Sequence, residues 1–263
     1  FLPIIYGFTL SLYFYNFYSN QSRIGRAAEY TLIGGIIIHI LYLTAKSELQ
    51  HFPIQNFYDS FSLIALSIAV IHLLIELVLK EGKTGQFFLS ITFILQTIAS
   101  MFSEKPAEIN ELLSNPLFGV HVTFTILGIS ALAVSALYGL MYWMLAKEIK
   151  SHRFGLVYQG LPPLETLEKM GRLSSIIGVI ILGFGILLGH LWAQRMLGYF
   201  FKFDAKIIIT DGAWLCYLLG WFIVRWKNLS GIRLSKYSFW GFIIFFLAIG
   251  AANYFESSFH HFY

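Results

Sequence analysis

Eight histidines carry most of the chemistry open to this chain: His39, His51, His72, His121, His152, His190, His260 and His261. An imidazole near neutral pH can ligate a metal, hold a proton or take one, and its surroundings decide which. Cys216 is the only cysteine, which excludes an internal disulfide, a CxxC redox pair and a cysteine zinc cluster. No phosphate-cradling glycine loop lies at a suitable junction, and neither HExxH nor GxSxG occurs. No catalytic set is therefore assigned.

The elements that must position these histidines are membrane helices. Of the 263 residues, 57% are hydrophobic, 18% aromatic and only 12% charged, far from the roughly quarter-charged balance of a soluble domain. The apolar residues fall in eight runs of roughly 18 to 25 residues, the length a helix needs to cross about 30 Å of hydrocarbon. They are Phe1 to Ser19, Ala27 to Thr44, Phe61 to Leu79, Gln86 to Met101, Val120 to Ala146, Leu173 to Leu197, Ile207 to Val224 and Phe239 to Phe255. No alternation suggests barrel strands. The fold class expected is all-α, a polytopic transmembrane helical bundle of about eight spans, with residues 1–263 as a single integral membrane domain. The chain opens at Phe1 without a methionine, leaving room for residues before it, and nothing in the first run resembles a signal cleavage site.

Lys and Arg accumulate in cytoplasmic loops. Thirteen of the 18 fall in the first, third, fifth and seventh connections, and five (Lys46, Lys105, Arg195, Lys202 and Lys206) fall in the others. Both termini are thus expected on the outer side of a bacterial-type cytoplasmic membrane. The net charge of +4 follows from this asymmetry, so no nucleic-acid partner is read from it. On this topology His51, His121, His190, His260 and His261 all lie in outer loops or at outer helix ends.

For any one of these, interfacial anchoring or a capping hydrogen bond is the simplest role. Several at one surface, beside Trp192, Tyr199, Phe200, Phe201 and Phe203, suit a different task. Ring nitrogens for iron and flat side chains for a porphyrin are what a protein uses to hold a haem. Zinc or copper is chemically open, but no compact ligand spacing supports it. His39 and His72 fall inside the second and third runs, where they form either a second, intramembrane ligand pair or satisfied hydrogen bonds to neighbouring helices. Asp204, Lys206 and Asp211 stand at the start of the seventh run, either favouring a helix N-terminus or forming a platform in which Lys202 and Lys206 meet haem propionates.

Small residues recur every four positions at Ala131, Ser135 and Gly139 in the fifth run, and Ser174, Gly178, Gly185 and Gly189 give the sixth a small-residue face. Both spacings predict close helix contact. Leu161 to Leu173, LPPLETLEKMGRL, has apolar residues at helical spacing behind two prolines and predicts a short surface helix leading into the sixth run.

Five segments in order resemble the CcsA/HemX-like cytochrome c assembly family. HFPIQNFYDS (His51 to Ser60) is similar to the family's GHFPLSNLYES. The fifth run led by His121-Val122 resembles its histidine-led helix, and LPPLETLEKMGRL its LPSLExLdrl loop. GHLWAQRMLGYFFKFDAK (Gly189 to Lys206) resembles GAxWAxxxWGxYWxWDPK, and the ending SSFHHFY resembles SGLHSY. In the tryptophan-rich segment, residues 189–206, Trp192, Ala193, Gly198, Asp204 and Lys206 are retained. Three motif tryptophans are replaced by Leu197, Phe201 and Phe203, and the motif proline by Ala205. A histidine expected near the cytoplasmic end of the seventh run is Phe222 here.

The resemblance implies haem, b type and non-covalent, bound through His121 and His260 as axial ligands. Trp192, Tyr199, Phe201, Phe203, Asp204 and Lys206 would line the site, and His190, His51, His39 and His72 are secondary candidates. It implies a CcsB/ResB-like membrane subunit and an apocytochrome or other haem acceptor as partners, with this chain a possible subunit of a cytochrome c haem lyase and no enzyme alone. The second reading is a HemX-like regulatory or scaffolding protein that does not traffic haem. A third, a transporter relaying protons through His39 and His72, has no inverted repeat behind it.

Overall fold

The computed structural model describes residues 1–19, 21–50, 57–102, 115–152, 155–201, 203 and 205–254, and every regular element among them is a helix. In order these are α1 (Leu2–Ser19), α2 (Ser22–Gln50), α3 (Phe57–Leu79), α4 (Gly85–Met101), α5 (Pro116–Lys150), α6 (Leu156–Gly160), α7 (Leu164–Leu197), α8 (Ala205–Trp226) and α9 (Gly231–Tyr254). Each of the eight apolar runs is thus helical.

Among the described residues six helices are long and apolar enough to cross a membrane: α2, α3, α5, α7, α8 and α9. The expectation of eight spans is met only in these. α4 has 17 residues, and its Gln86, Thr92 and Gln96 are buried among its neighbours. Tyr6, Tyr13, Tyr15 and Tyr18 lower the hydropathy of α1. Both helices pack into the N-terminal group, with Tyr6, Tyr13, Ala28, Leu32, Leu66 and Leu89 forming its core.

α5 and α7 form the central pair, and small residues set their separation. A Cβ added at Gly128 would stand 2.5 Å from the Leu182 backbone nitrogen; at Gly178, 3.0 Å from that of Leu132; at Gly185, 2.8 Å from that of Thr125. Only glycine permits backbones this close. Ser135 donates to the Gly171 carbonyl at 2.8 Å, while Gly139 faces the Ser235 carbonyl of α9. The predicted small-residue faces thus meet, except that Gly139 serves a different neighbour. α3 joins the two groups through Ile71, Ile75, Phe88, Tyr138, Met141 and Met170.

Both ends of the central pair are set by local sequence. Asn115 accepts from the Leu117 amide at 2.9 Å ahead of Pro116, so α5 starts with a cap and a residue lacking the amide that would otherwise be orphaned. α7 ends where Gly198 takes φ 81°, a left-handed conformation costly to other residues. The short surface helix expected over Leu161 to Leu173 is not separate. Pro163 sits at the N-cap of α7, and nothing between Leu164 and Leu173 interrupts the helix that follows. Its Leu167 and Met170 are buried, and Arg172 bonds Glu168 and the Leu229 carbonyl. Glu168 in turn accepts from the Gly231 amide at 2.7 Å, tying this end of α7 to the α8–α9 turn.

Candidate haem-handling site

His121 lies in the second turn of α5, and its Nδ1 is 2.7 Å from the Gly185 carbonyl oxygen of α7. A carbonyl only accepts, so Nδ1–H donates and the neutral ring keeps its lone pair on Nε2. No hydrogen bond engages Nε2 among the described residues. A backbone carbonyl fixing one ring nitrogen while the other stays available is the arrangement that orients a histidine ligand. Gly189, one turn beyond Gly185, forms the floor: an added Cβ would come within 2.6 Å of His121 Cε1 and 2.7 Å of Nδ1.

Phe118, three residues before His121, packs its ring 6.1 Å from the imidazole and 5.1 Å from Trp192. Trp192 is only 6% exposed, and its indole Nε1–H is buried without a partner among the described residues. An orphaned buried donor costs about 1 to 3 kcal/mol. Leu197 and Tyr199 pack against the same cluster. Trp192 and Tyr199 therefore sit against the root of α5 near His121, and Trp192 is no part of an exposed shelf.

The shelf consists of phenyl rings. Phe200 and Phe201 are about half exposed and Phe203 is 87% exposed, with Phe201 and Phe203 edge to face at 5.4 Å. His190 holds this segment. Its Nδ1 is 2.9 Å from the Phe200 carbonyl, its Nε2 is 3.0 Å from Asp211 Oδ2, and its ring stacks on Phe200 at 5.2 Å. Both partners are acceptors, so the pair with Asp211 needs two protons between them and no ring lone pair is left for a metal. His190 is thereby a clamp joining α7, the shelf and α8, not a spare iron ligand.

The two histidines inside the N-terminal group do not meet. His39 is bonded at both nitrogens, to Tyr6 Oη at 2.9 Å and Ser62 Oγ at 2.9 Å. His72 stands ten residues beyond Ser62 on α3, a rise of roughly 15 Å. A shared ligand pair is not formed. Among the described residues no three His, Cys, Asp or Glu side chains cluster as a metal site.

His51, His260, His261, Lys202 and Asp204 lie outside the described residues, as does the side chain of Lys206. The sequence reading gave no role to the Gly185 carbonyl or to Phe118, and treated Asp211 as a helix-start residue. The spacing of Gly185 and Gly189 signalled close helix contact without showing that a histidine ring would be what they touch.

The residues described fit a haem in one respect that matters: an imidazole whose ring is fixed at Nδ1 and whose Nε2 has no hydrogen bond among the described residues. The comparisons point the same way. The chain is 25% identical to Protein HemX of Brevibacillus brevis over 97% of its own length and 94% of that protein's. It is 23% identical to Protein HemX of Bacillus subtilis (strain 168), over 87% and 84%, and 21% identical to Cytochrome c biogenesis protein CcsA of Guillardia theta, over 88% and 83%. A family model described as Cytochrome C assembly protein matches residues 54–260. With its apolar helices and a match over most of its length, the chain is a multi-pass membrane protein that belongs to the cytochrome c assembly protein family.

Proposed function

We propose that this protein holds b-type haem non-covalently at the outer face of a bacterial-type cytoplasmic membrane and presents it to an apocytochrome or to a CcsB/ResB-like partner subunit. The observation that carries this reading is His121: Nδ1–H bonded to the Gly185 carbonyl, Gly189 beneath the ring and no hydrogen bond at Nε2 among the described residues. His260 is the second axial ligand in this reading. When bound, the haem supplies the vinyl groups that an acceptor's cysteines would add to. The protein's own share would be ligation, orientation and a flat support: His121 would hold the iron, Phe201 and Phe203 would offer faces, Asp204 and Lys206 would line the edge, and the His190–Asp211 pair joins the segment to α8.

One observation favours a second reading, a scaffolding protein of the HemX type that handles no haem. Trp192, the retained motif tryptophan, packs inward on Phe118, and Leu197 replaces another. The segment then does structural work.

An absorption spectrum of detergent-purified protein, produced with haem available, separates the two. Haem handling predicts a six-coordinate, low-spin Soret band that collapses in His121→Ala and in His260→Ala. A haem-free protein whose variants fold normally would leave the scaffold as the better account.

A further inference from the structure

Lys46, Lys169 and Arg172 each face a carboxylate, on Asp59, Glu165 and Glu168. At the seam between α5 and α9, Lys147, Arg233 and Lys236 pair with no carboxylate among the described residues, and all three are exposed. Glu148, next to Lys147 in the chain, is turned to α6, where it accepts from the Tyr158 amide at 2.9 Å. Three like charges gathered without a counter-charge repel one another until an anion joins them.

Their gathering is fixed by backbone packing. A Cβ added at Gly139 would stand 2.7 Å from the Ser235 carbonyl oxygen, so the two helices nearly touch there. Trp143 lies one turn beyond Gly139 on α5, and Lys236 follows Ser235 on α9. The close approach brings the Lys236 ammonium over the Trp143 ring, 5.3 Å from its centroid. Lys147 comes one turn after Trp143, and Arg233 one turn before Lys236. A ring face holds a cation in place but carries no net charge to neutralise it.

Depth in the membrane adds a second constraint. Lys147 directly follows the apolar run that ends at Ala146, and Lys236 stands three residues before the run that starts at Phe239. Both ammoniums thus lie where the chain leaves the hydrocarbon, at the level of lipid phosphates. On the hydrocarbon side of them an apolar surface stays open, with Met144 45% and Trp240 51% exposed.

We infer that this seam binds one phospholipid with an anionic headgroup. The phosphate sits among Lys147, Arg233 and Lys236, and an acyl chain lies along Met144 and Trp240. A zwitterionic headgroup brings its own cation to three others and is disfavoured. The site is roughly 40 Å along α5 from His121, so it stands or falls independently of haem.

Native mass spectrometry of the full chain, delipidated in detergent and then mixed with phosphatidylglycerol or phosphatidylcholine, tests this with or without haem. Phosphatidylglycerol should be retained about tenfold more than phosphatidylcholine, and Lys147→Gln and Lys236→Gln should each cost about fivefold, the worth of one basic residue at an anionic surface. The double variant should lose the preference. Lys169→Gln, whose cation already has Glu165, should behave as wild type. Inorganic phosphate should not displace the lipid, since it offers no chain to Met144 and Trp240. Equal retention of the two lipids, an undiminished preference in the double variant, or displacement by phosphate would overturn the proposal. Should the double variant fail to fold, the two single variants decide.

Discussion

At the scale of single residues, His121 and His190 divide by what their second nitrogen does. His121 spends one nitrogen on the Gly185 carbonyl and keeps the other, whereas His190 spends both, on Phe200 and Asp211. Gly189→Ala should therefore act like a mild His121 variant. A methyl 2.6 Å from Cε1 must push the ring aside, and a misaimed ligand is expected to weaken haem retention by about tenfold or more, in the range seen when orienting partners of metal ligands are lost. Haem content after gel filtration measures it. Asp211→Asn should leave haem ligation intact and loosen the shelf, read as faster proteolysis after Arg195 or Lys202. The histidines themselves were legible as candidates from their placement at helix ends, but the bond that selects among them was not. Which carbonyl of α7 faces position 121 depends on the register of two packed helices, and no local pattern in either sequence states that register.

At the scale of elements, the close approach of α5 and α7 holds the site in place. Gly128 faces the Leu182 backbone at 2.5 Å from a would-be Cβ, so Gly128→Leu must separate the helices. The expected cost is about 1 to 3 kcal/mol, the range for overpacked interiors, measured as a lowered Tm in detergent together with loss of any haem spectrum. Gly212→Ala has open space around it and should be silent in both assays. The helices themselves were readable from hydropathy alone, since each apolar run became one. The extent of α7 was not, because its first three turns are amphipathic and look like a surface helix. What makes them continuous with the membrane portion is the burial of Leu167 and Met170 and the bonding of Glu168 and Arg172 to the α8–α9 turn. Glu168→Ala should accordingly free that turn and lower the Tm.

At the scale of the whole molecule, two helix groups meet along α3 and α5. The C-terminal group carries His121 and the phenyl shelf, and the N-terminal group carries the buried bonds of His39. On the eight-run reading, 13 of the 18 Lys and Arg fall in alternate connections. That asymmetry predicts that a cysteine introduced at Ser151, in a Cys216→Ser background, resists a membrane-impermeant maleimide in intact cells and reacts after lysis, while one at Asn115 reacts in intact cells. The reverse pattern would invert the topology and place His121 on the cytoplasmic side. Composition gave the membrane class directly. Of the eight runs, six form helices long and apolar enough to span among the described residues, while α1 and α4 bury tyrosine, threonine and glutamine against neighbouring helices.

The central claim is that His121 Nε2 ligates haem iron, and it is tested most directly by chemical rescue. His121→Gly removes the imidazole and leaves a space its own size next to the Gly185 carbonyl. The account predicts that this variant, purified with haem present, loses the low-spin Soret band and regains it when free imidazole is added, whereas wild-type protein is unchanged by imidazole. A His121→Gly protein whose haem spectrum matches wild type without imidazole, or a wild-type protein that binds no haem, would contradict it.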